Sequence, residues 1–141
     1  MKIDIWFDGG SLNNQGKDRS GYGSFVTMNG GKKVTMTIDR GTPTERKMDQ
    51  CRIEYGNITN NDAEWRTLIV ALTYATQLQQ ATKTPLEFHI HGNVLGPFLN
   101  GSKVKAEHLK VHYEKVKDLL QYVTVEFVKE PDTKVKQVLG H

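Results

Sequence analysis

The sequence predicts a single α/β domain in which helices flank a mixed five-stranded sheet, with an antiparallel meander first and parallel strands after it. Two observations lead to this prediction. Residues 2–8, 22–29 and 32–39 are strand-like runs separated by turn-rich stretches, which is typical of an antiparallel meander. From residue 61 onward, stretches with helical periodicity alternate with short strands, which favours helical crossovers between parallel strands.

Length and composition fit one soluble domain over residues 1–141. The chain is 37% hydrophobic and 25% charged, and no apolar run approaches the ~20 residues of a membrane span. The N-terminus MKIDIWFDGG lacks a signal-peptide pattern, and the lone Cys51 excludes an internal disulfide and a cysteine-based zinc site. We therefore expect a cytoplasmic monomer with no membrane partner. A net charge of +3 permits a polyanionic partner without requiring one.

The first part of the chain is expected to be mostly strand. Apolar and polar residues alternate over residues 2–8, and DGGSLNNQGKDRSG is a turn-rich connection. The Asn-Gly-Gly turn at residues 29–31 joins the second and third strands into an antiparallel hairpin. Residues 39–55 are polar and irregular, which predicts a long loop with a strand end at CRIEY.

The second part is expected to alternate helices and strands. Residues 61–80 predict a helix, because Trp65, Leu68 and Leu72 recur at helical spacing without internal Gly or Pro. The remaining elements are expected to be a strand at LEFHIH, a short helix from Asn93 limited by Pro97, a helix over 104–121, a strand at YVTVEFV and a terminal helix stopped by Gly140.

Three polar side chains stand at element ends on this frame. Asp8 ends the first strand, Glu64 lies in the first turn of the long helix, and Asn93 follows the fourth strand. Each has a structural alternative. Asp8 could be a turn residue, Glu64 could form a capping box with Asn61, and Asn93 could be a helix N-cap. Strand ends are nevertheless where open α/β sheets present functional groups.

The chain resembles the ribonuclease H family in three motifs. A first strand that ends in an aspartate, followed by DGGS and GYGSFV, matches the opening of the family. ITNNDAEWRTLIVAL matches its T-N-N-x-A-E helix start almost letter for letter. HIHGNVL matches the strand end where family members carry G-D-S. The similarity in element order extends from residue 2 to about residue 139.

The resemblance implies an endoribonuclease that hydrolyses the RNA strand of RNA–DNA hybrids and leaves 5′-phosphate and 3′-hydroxyl ends. It also implies two Mg²⁺ ions, or Mn²⁺ in their place, held by carboxylates, because two such ions activate water and stabilise the leaving oxygen. Asp8 and Glu64 would be two of the catalytic metal ligands. Asn93 stands where the family has a catalytic aspartate. Its amide can still touch a metal but carries no charge, so we expect inactivated or weakened cleavage, whether the asparagine is engineered or natural.

Most relatives carry a fourth acid near the start of the last helix, in an N-x-x-A-D context. This chain has KEPDTKVKQVLGH instead, without the A-D pair. Our preferred replacement is His141, because an imidazole could bind the second metal or help product release. Asp132 is the alternative, although it could instead be the N-cap of the terminal helix.

Recognition of RNA is expected to depend on 2′-hydroxyls in the shallow minor groove. It should be independent of sequence, because backbone contacts carry no base information. The candidate contacts are the backbone amides of Gly9, Gly10 and Ser11 and the side chains of Asn14, Asn60 and Asn61.

Two other functions stay open. One is a non-cleaving hybrid-binding module in which Asn93 is native. The other is a different nuclease of the same fold, such as a junction resolvase or an exonuclease, against which the TNNDAEW helix start favours ribonuclease H. A pure interaction domain would leave the pairing of Asp8 and Glu64 unexplained.

Overall fold

The computed structural model of the chain describes residues 2–13, 16, 18–29, 32–39, 42–47, 51–93 and 95–140. The elements run in the order β1 (Lys2–Leu12), β2 (Ser20–Asn29), β3 (Lys32–Asp39), β4 (Thr42–Lys47), β5 (Cys51–Gly56), α1 (Asn60–Ala81), β6 (Glu87–Gly92), α2 (Gly96–Leu99), α3 (Glu107–Leu119), β7 (Thr124–Lys129) and α4 (Asp132–Leu139).

All the strands belong to one mixed sheet. Its path is β4-β3-β2-β1-β6-β7, and β5 pairs with β2 beside that path. The strands β1, β2 and β3 form an antiparallel meander, whereas β6 is parallel to β1 and β7 is parallel to β6. The predicted mixed sheet of five strands is therefore confirmed along β3-β2-β1-β6-β7, and the predicted helices are found within a few residues of their expected bounds.

The sequence predicts a long loop over residues 39–55 with a strand end at CRIEY. The structure confirms a strand there, β5, and has a further strand, β4, within the predicted loop. β4 forms a hairpin with β3, and β5 pairs with the first half of β2. The loop prediction is wrong for β4, because its sequence TPTERK carries little apolar signal. The signal of β5 is also weak. In β5, Arg52 and Glu54 are exposed while Ile53 and Tyr55 are only half-buried, so the alternation is weak.

The main core lies between one face of the sheet and the helices α1 and α3. The fully buried side chains of this core include Ile3, Ile5, Phe7, Leu68, Leu72, Phe88 and Ile90.

The helix α1 begins with a cap at Thr59. Its hydroxyl accepts a hydrogen bond from the Asp62 N–H at 3.3 Å. The prediction of a capping box through Asn61 is therefore wrong. No helix in the described part of the chain is long and apolar enough to cross a membrane.

The opposite face of the sheet carries α4. Trp6 packs there in a second apolar cluster with Val135 and Leu139. Because side chains alternate along a strand, Asp8 shares this face with Trp6, whereas Phe7 points into the main core. The helix ends at Gly140, which adopts the left-handed conformation with φ 78°, as expected for a glycine stop. The alternation of β1 thus directs Asp8 toward α4.

Candidate active site

A polar cavity of about 290 Å³ lies where the end of β1 meets α1 and α4. It brings together Asp8, Glu64 and Asp132, which come from three different elements. The residues that line it are Asp8, Gly9, Gly10, Ser11, Tyr22, Asn60, Glu64, Asp132 and Lys136. The cavity therefore combines three carboxylates with one ammonium and several uncharged polar groups.

Asp8 is buried, with only 4% of its surface exposed. The backbone N–H of Gly9 donates to its Oδ1 at 2.9 Å. The next residue explains why α1 can approach so closely. A Cβ at Gly9 would lie 2.5 Å from the carbonyl oxygen of Ala63 and 2.6 Å from the nitrogen of Glu64. Glycine at this position therefore lets the first turn of α1 rest on β1 and brings Glu64 beside Asp8.

Glu64 is strongly affected by its surroundings. Burial first, and then the charges of Asp8 and Asp132, raise its pKa to about 7, while Lys136 lowers it. A carboxyl with such a pKa is stabilised in its neutral form unless a cation is near. The donors in this cavity are carboxylate oxygens, which suit a hard divalent cation such as Mg²⁺ or Mn²⁺. Asp8, Glu64 and Asp132 supply these oxygens, although their ligand atoms do not all lie within 4.8 Å of one another in the described structure.

Asp132 is the first residue of α4 rather than its N-cap. The N-cap is Pro131, and no side chain forms a capping hydrogen bond there, so the N-cap prediction for Asp132 is wrong. Its Oδ2 instead lies 3.0 Å from the Nζ of Lys136, four residues later on the same helix. This hydrogen bond raises the pKa of Lys136, which keeps the ammonium charged.

Asn93 lies directly after β6, which is the strand next to β1. The parallel register between β1 and β6 ends with the pair of Trp6 and His91, and Asp8 and Asn93 each lie two residues farther along their segments. Asn93 is exposed and does not line the cavity. It is not a helix N-cap, because α2 is capped by Leu95. The position of His141 lies outside the described residues.

Most of the predicted hybrid contacts lie at the cavity. Gly9, Gly10, Ser11 and Asn60 line it. The Ser11 N–H donates to the Asn60 side-chain oxygen, so these two predicted contact groups already form a hydrogen bond with each other. Asn61 lines a neighbouring depression between α1 and α3 together with His108, Leu109 and other residues. Asn14 lies outside the described residues.

Two cavity residues, Tyr22 and Lys136, are missed by the sequence analysis. Tyr22 lies opposite Gly10 in the β1–β2 register. The guanidinium carbon of Arg52 lies 4.6 Å from the centroid of the Tyr22 ring. Lys136 could have been found, because a residue four positions after Asp132 shares its helix face. Tyr22 depends on strand pairing, which the sequence alone does not give.

A second group of possible metal ligands lies elsewhere on the sheet. Ligand atoms of Glu87, His89 and Glu126 lie within 4.8 Å of one another. His89 faces Glu126 across the β6–β7 pair and lies level with Asp4 on β1, four residues before Asp8. Both glutamates are exposed, and none of the three residues lines the cavity. This group is therefore separate from the site of Asp8 and Glu64.

Neither a protein-family model nor a curated protein sequence matches the chain. Solved structures do match it. LC11 ribonuclease H1, crystallised with an RNA/DNA hybrid, is 22% identical with a TM-score of 0.67, covering 96% of this chain and 89% of that one. Ribonuclease H1 from the halophilic archaeon Halobacterium salinarum is 18% identical with a TM-score of 0.71, covering 96% and 90%.

A third similar structure is the N-terminal ribonuclease H domain of a Mycobacterium tuberculosis protein. It is 22% identical with a TM-score of 0.66, and the match covers 96% of this chain and 86% of that one. These identities are low, so the likeness concerns the fold. The chain has the ribonuclease H fold over nearly its whole length.

Proposed function

We propose that this chain is a nuclease that binds RNA–DNA hybrids and hydrolyses their RNA strand. The observation that carries the proposal is the convergence of Asp8, Glu64 and Asp132 on one cavity. Burial, and then the charges of Asp8 and Asp132, raise the pKa of Glu64, and a bound cation would offset the cost of ionising it. Fold similarity to a ribonuclease H1 crystallised with an RNA/DNA hybrid supports the substrate class.

A divalent cation would be held by the carboxylate oxygens of Asp8, Glu64 and Asp132. When bound, it would supply a polarised water and stabilise charge on phosphate oxygens. The protein's own contribution is preorganisation. Asp8 is fixed by burial and by the Gly9 N–H, so its carboxylate is oriented before substrate arrives. Asn60 and Ser11 place polar groups at the rim, where the sugar-phosphate backbone would lie.

Asp132 replaces His141 as our proposed fourth acidic position. Asp132 lines the cavity that contains Asp8 and Glu64. His141 lies outside the described residues, so no contact supports it. The role of His141 stays a prediction.

Asn93 is proposed to weaken the enzyme. Asp8 and Asn93 each lie two residues beyond the last paired residues of β1 and β6, so a carboxylate at position 93 would add a negative charge on the same side of the sheet edge as Asp8. An amide oxygen is a weaker ligand for a hard cation than a carboxylate. Asn93→Asp should therefore increase hydrolysis.

The products of Asn93→Asp test the proposed reaction. An RNA–DNA hybrid labelled on either strand should lose only its RNA strand, leaving 5′-phosphate and 3′-hydroxyl ends. A DNA duplex and an RNA duplex, as controls, should remain intact. Cutting of the DNA strand or of either control duplex would instead indicate another nuclease of this fold.

A second candidate function is a hybrid-binding module that does not cleave. It is favoured by Asn93 and by the ammonium of Lys136, since both reduce the negative charge available to a cation. This alternative predicts that the chain and Asn93→Asp both retain hybrid in a gel-shift assay and that neither cuts it. The cytoplasmic location and the monomeric state stay predictions.

A further inference from the structure

Lys136 is an exposed residue of α4 that lines the carboxylate cavity. It is the one cationic side chain among the described residues that line this cavity. Its Nζ lies 3.0 Å from Asp132 Oδ2, and both side chains are about half-exposed. A lysine in a site that would bind a cation competes directly with that cation.

The ammonium shares the cavity with all three carboxylates. Asp8 is on β1, Glu64 on α1 and Asp132 on α4, so the three elements that form the cavity each contribute one acid. The direct contact of Lys136 is with Asp132, the acid of its own helix.

We propose that the Lys136 ammonium takes the place of one metal ion, so that the cavity holds a single divalent cation beside a fixed lysine charge. The inference rests on the proposed function, because it concerns the same cavity. It departs from the two ions that the sequence resemblance implies.

Charge balance supports a single ion. With a cation near, Glu64 is ionised, and three carboxylates and one ammonium then leave two net negative charges, which one divalent cation neutralises. A second divalent ion would leave the cavity with two net positive charges, and it would have to share Asp132 with the ammonium that already contacts its Oδ2. Asn93 supplies no further anion.

The ammonium could also act on the substrate. A phosphate that entered the cavity would meet a cation already held in place by Asp132. Lysine binds phosphate as a point charge, and a preorganised charge stabilises developing negative charge on oxygen. Lys136 would then supply the electrostatic part of a second ion's role directly to the phosphate.

Lys134 offers a matched control on the same helix. Its Nζ lies 3.6 Å from Glu130 and 5.5 Å from the centre of the Trp6 ring, and it does not line the cavity. Replacing either lysine by glutamine removes one positive charge from α4, but only Lys136→Gln removes it from the cavity.

The experiment counts Mn²⁺ by isothermal titration calorimetry and by the electron paramagnetic resonance signal of free Mn²⁺. It uses the full chain carrying His89→Ala, which disables the separate Glu87, His89 and Glu126 group. We expect one Mn²⁺, lost in Asp8→Asn. Lys136→Gln should bind Mn²⁺ roughly tenfold more tightly or take up a second ion. Lys136→Arg and Lys134→Gln should both resemble the His89→Ala chain.

Binding of two Mn²⁺ with Lys136 intact would overturn the inference, and so would equal affinities for Lys136→Gln and Lys134→Gln. Absence of any Mn²⁺ binding that depends on Asp8 would overturn it as well. Circular dichroism of each variant checks that it folds. Failure of the proposed function is distinguishable. If one ion binds as expected but Asn93→Asp cuts no hybrid, the nuclease proposal fails and the inference stands. If Asn93→Asp cuts hybrid but the chain binds two ions, the inference fails and the nuclease proposal stands.

Discussion

The backbone of Gly9 packs against the carbonyl of Ala63 so closely that a Cβ at Gly9 would lie 2.5 Å from that oxygen. Asp8 precedes Gly9, and Glu64 follows Ala63. The separation of the two carboxylates is therefore set by contact between the backbones of β1 and α1, and any side chain at position 9 would push the strand and the helix apart.

Gly9→Ala should destabilise the fold and weaken the site together. The added methyl must displace the first turn of α1, which we expect to lower the free energy of unfolding by about 1–3 kcal/mol. Gly96→Ala is the matched control, because a Cβ there meets its nearest atom at an ordinary 3.5 Å. Urea denaturation of both variants checks this. Equal stabilities would contradict the close packing at Gly9.

Glu64 predicts a pH dependence of stability when no divalent cation is present. Its pKa of about 7 in the folded chain lies above the value of 4.5 for an unperturbed carboxyl. The folded state therefore binds more protons than the unfolded state between these values, so this residue's contribution to stability is lost as pH rises from 4.5 through 7. Glu64→Gln cannot ionise and should escape that loss.

We expect Glu64→Gln to be more stable than the unmodified chain at about pH 8, by roughly 1–3 kcal/mol, and to lose this advantage near pH 4. Glu114→Gln, an exposed change on α3, serves as the control. Urea denaturation in the presence of a chelator at both pH values measures the difference. The same advantage at both pH values would show that ionisation of Glu64 is not the cause.

Addition of Mg²⁺ or Mn²⁺ should raise the melting temperature, because a cation that binds only the folded chain stabilises it by mass action, by about 2.7 kcal/mol at a hundredfold excess over the dissociation constant. Asp8→Asn and Asp132→Asn should abolish most of this rise. Glu126→Gln, which alters only the separate group with His89, should retain it. A rise in melting temperature that survives Asp8→Asn but not Glu126→Gln would show that the cation binds to the group of Glu87, His89 and Glu126 and not in the cavity.

His91 should help to hold α4 against the sheet. Its ring stacks on Trp6 with centroids 4.4 Å apart, and its two nitrogens lie 2.8 Å from Asp4 and 3.0 Å from Glu130. Glu130 stands just before α4, which carries Asp132. His91→Ala should therefore cost about 1–3 kcal/mol of stability and also weaken Mn²⁺ binding. His108→Ala, at an exposed position on α3, should change neither. Calorimetric melting and Mn²⁺ titration of both variants test this.

Local patterns predict most of the elements and two of the cavity's acids. The helical spacing around Trp65 and the alternation of β1 are strong signals, because the apolar residues of each element lie on one buried face. The strand β4 escapes prediction because its sequence, TPTERK, is polar and shows no apolar alternation. The choice between Asp132 and His141 depends on where α4 packs against the sheet, which the spacing of residues does not specify.

Contacts across strands are the least predictable part of the site. Tyr22 reaches the cavity through its pairing with Gly10, and a register shift between Gly21 and Tyr22 in the β2–β5 pair adds a local irregularity. A one-residue change of register would turn a side chain to the other face of the sheet. Lys136 differs, because helical spacing alone relates it to Asp132.

The most direct measurement is hydrolysis of an end-labelled RNA–DNA hybrid in Mg²⁺ by the unmodified chain, by Asn93→Asp, and by Asn93→Asp combined with Asp8→Asn. The account predicts that Asn93→Asp cuts the RNA strand at least about tenfold faster than the unmodified chain, as expected for restoring one charged ligand. The double variant should be inactive. If Asn93→Asp leaves the hybrid intact, or if cleavage survives Asp8→Asn, the cavity of Asp8, Glu64 and Asp132 is not the active site.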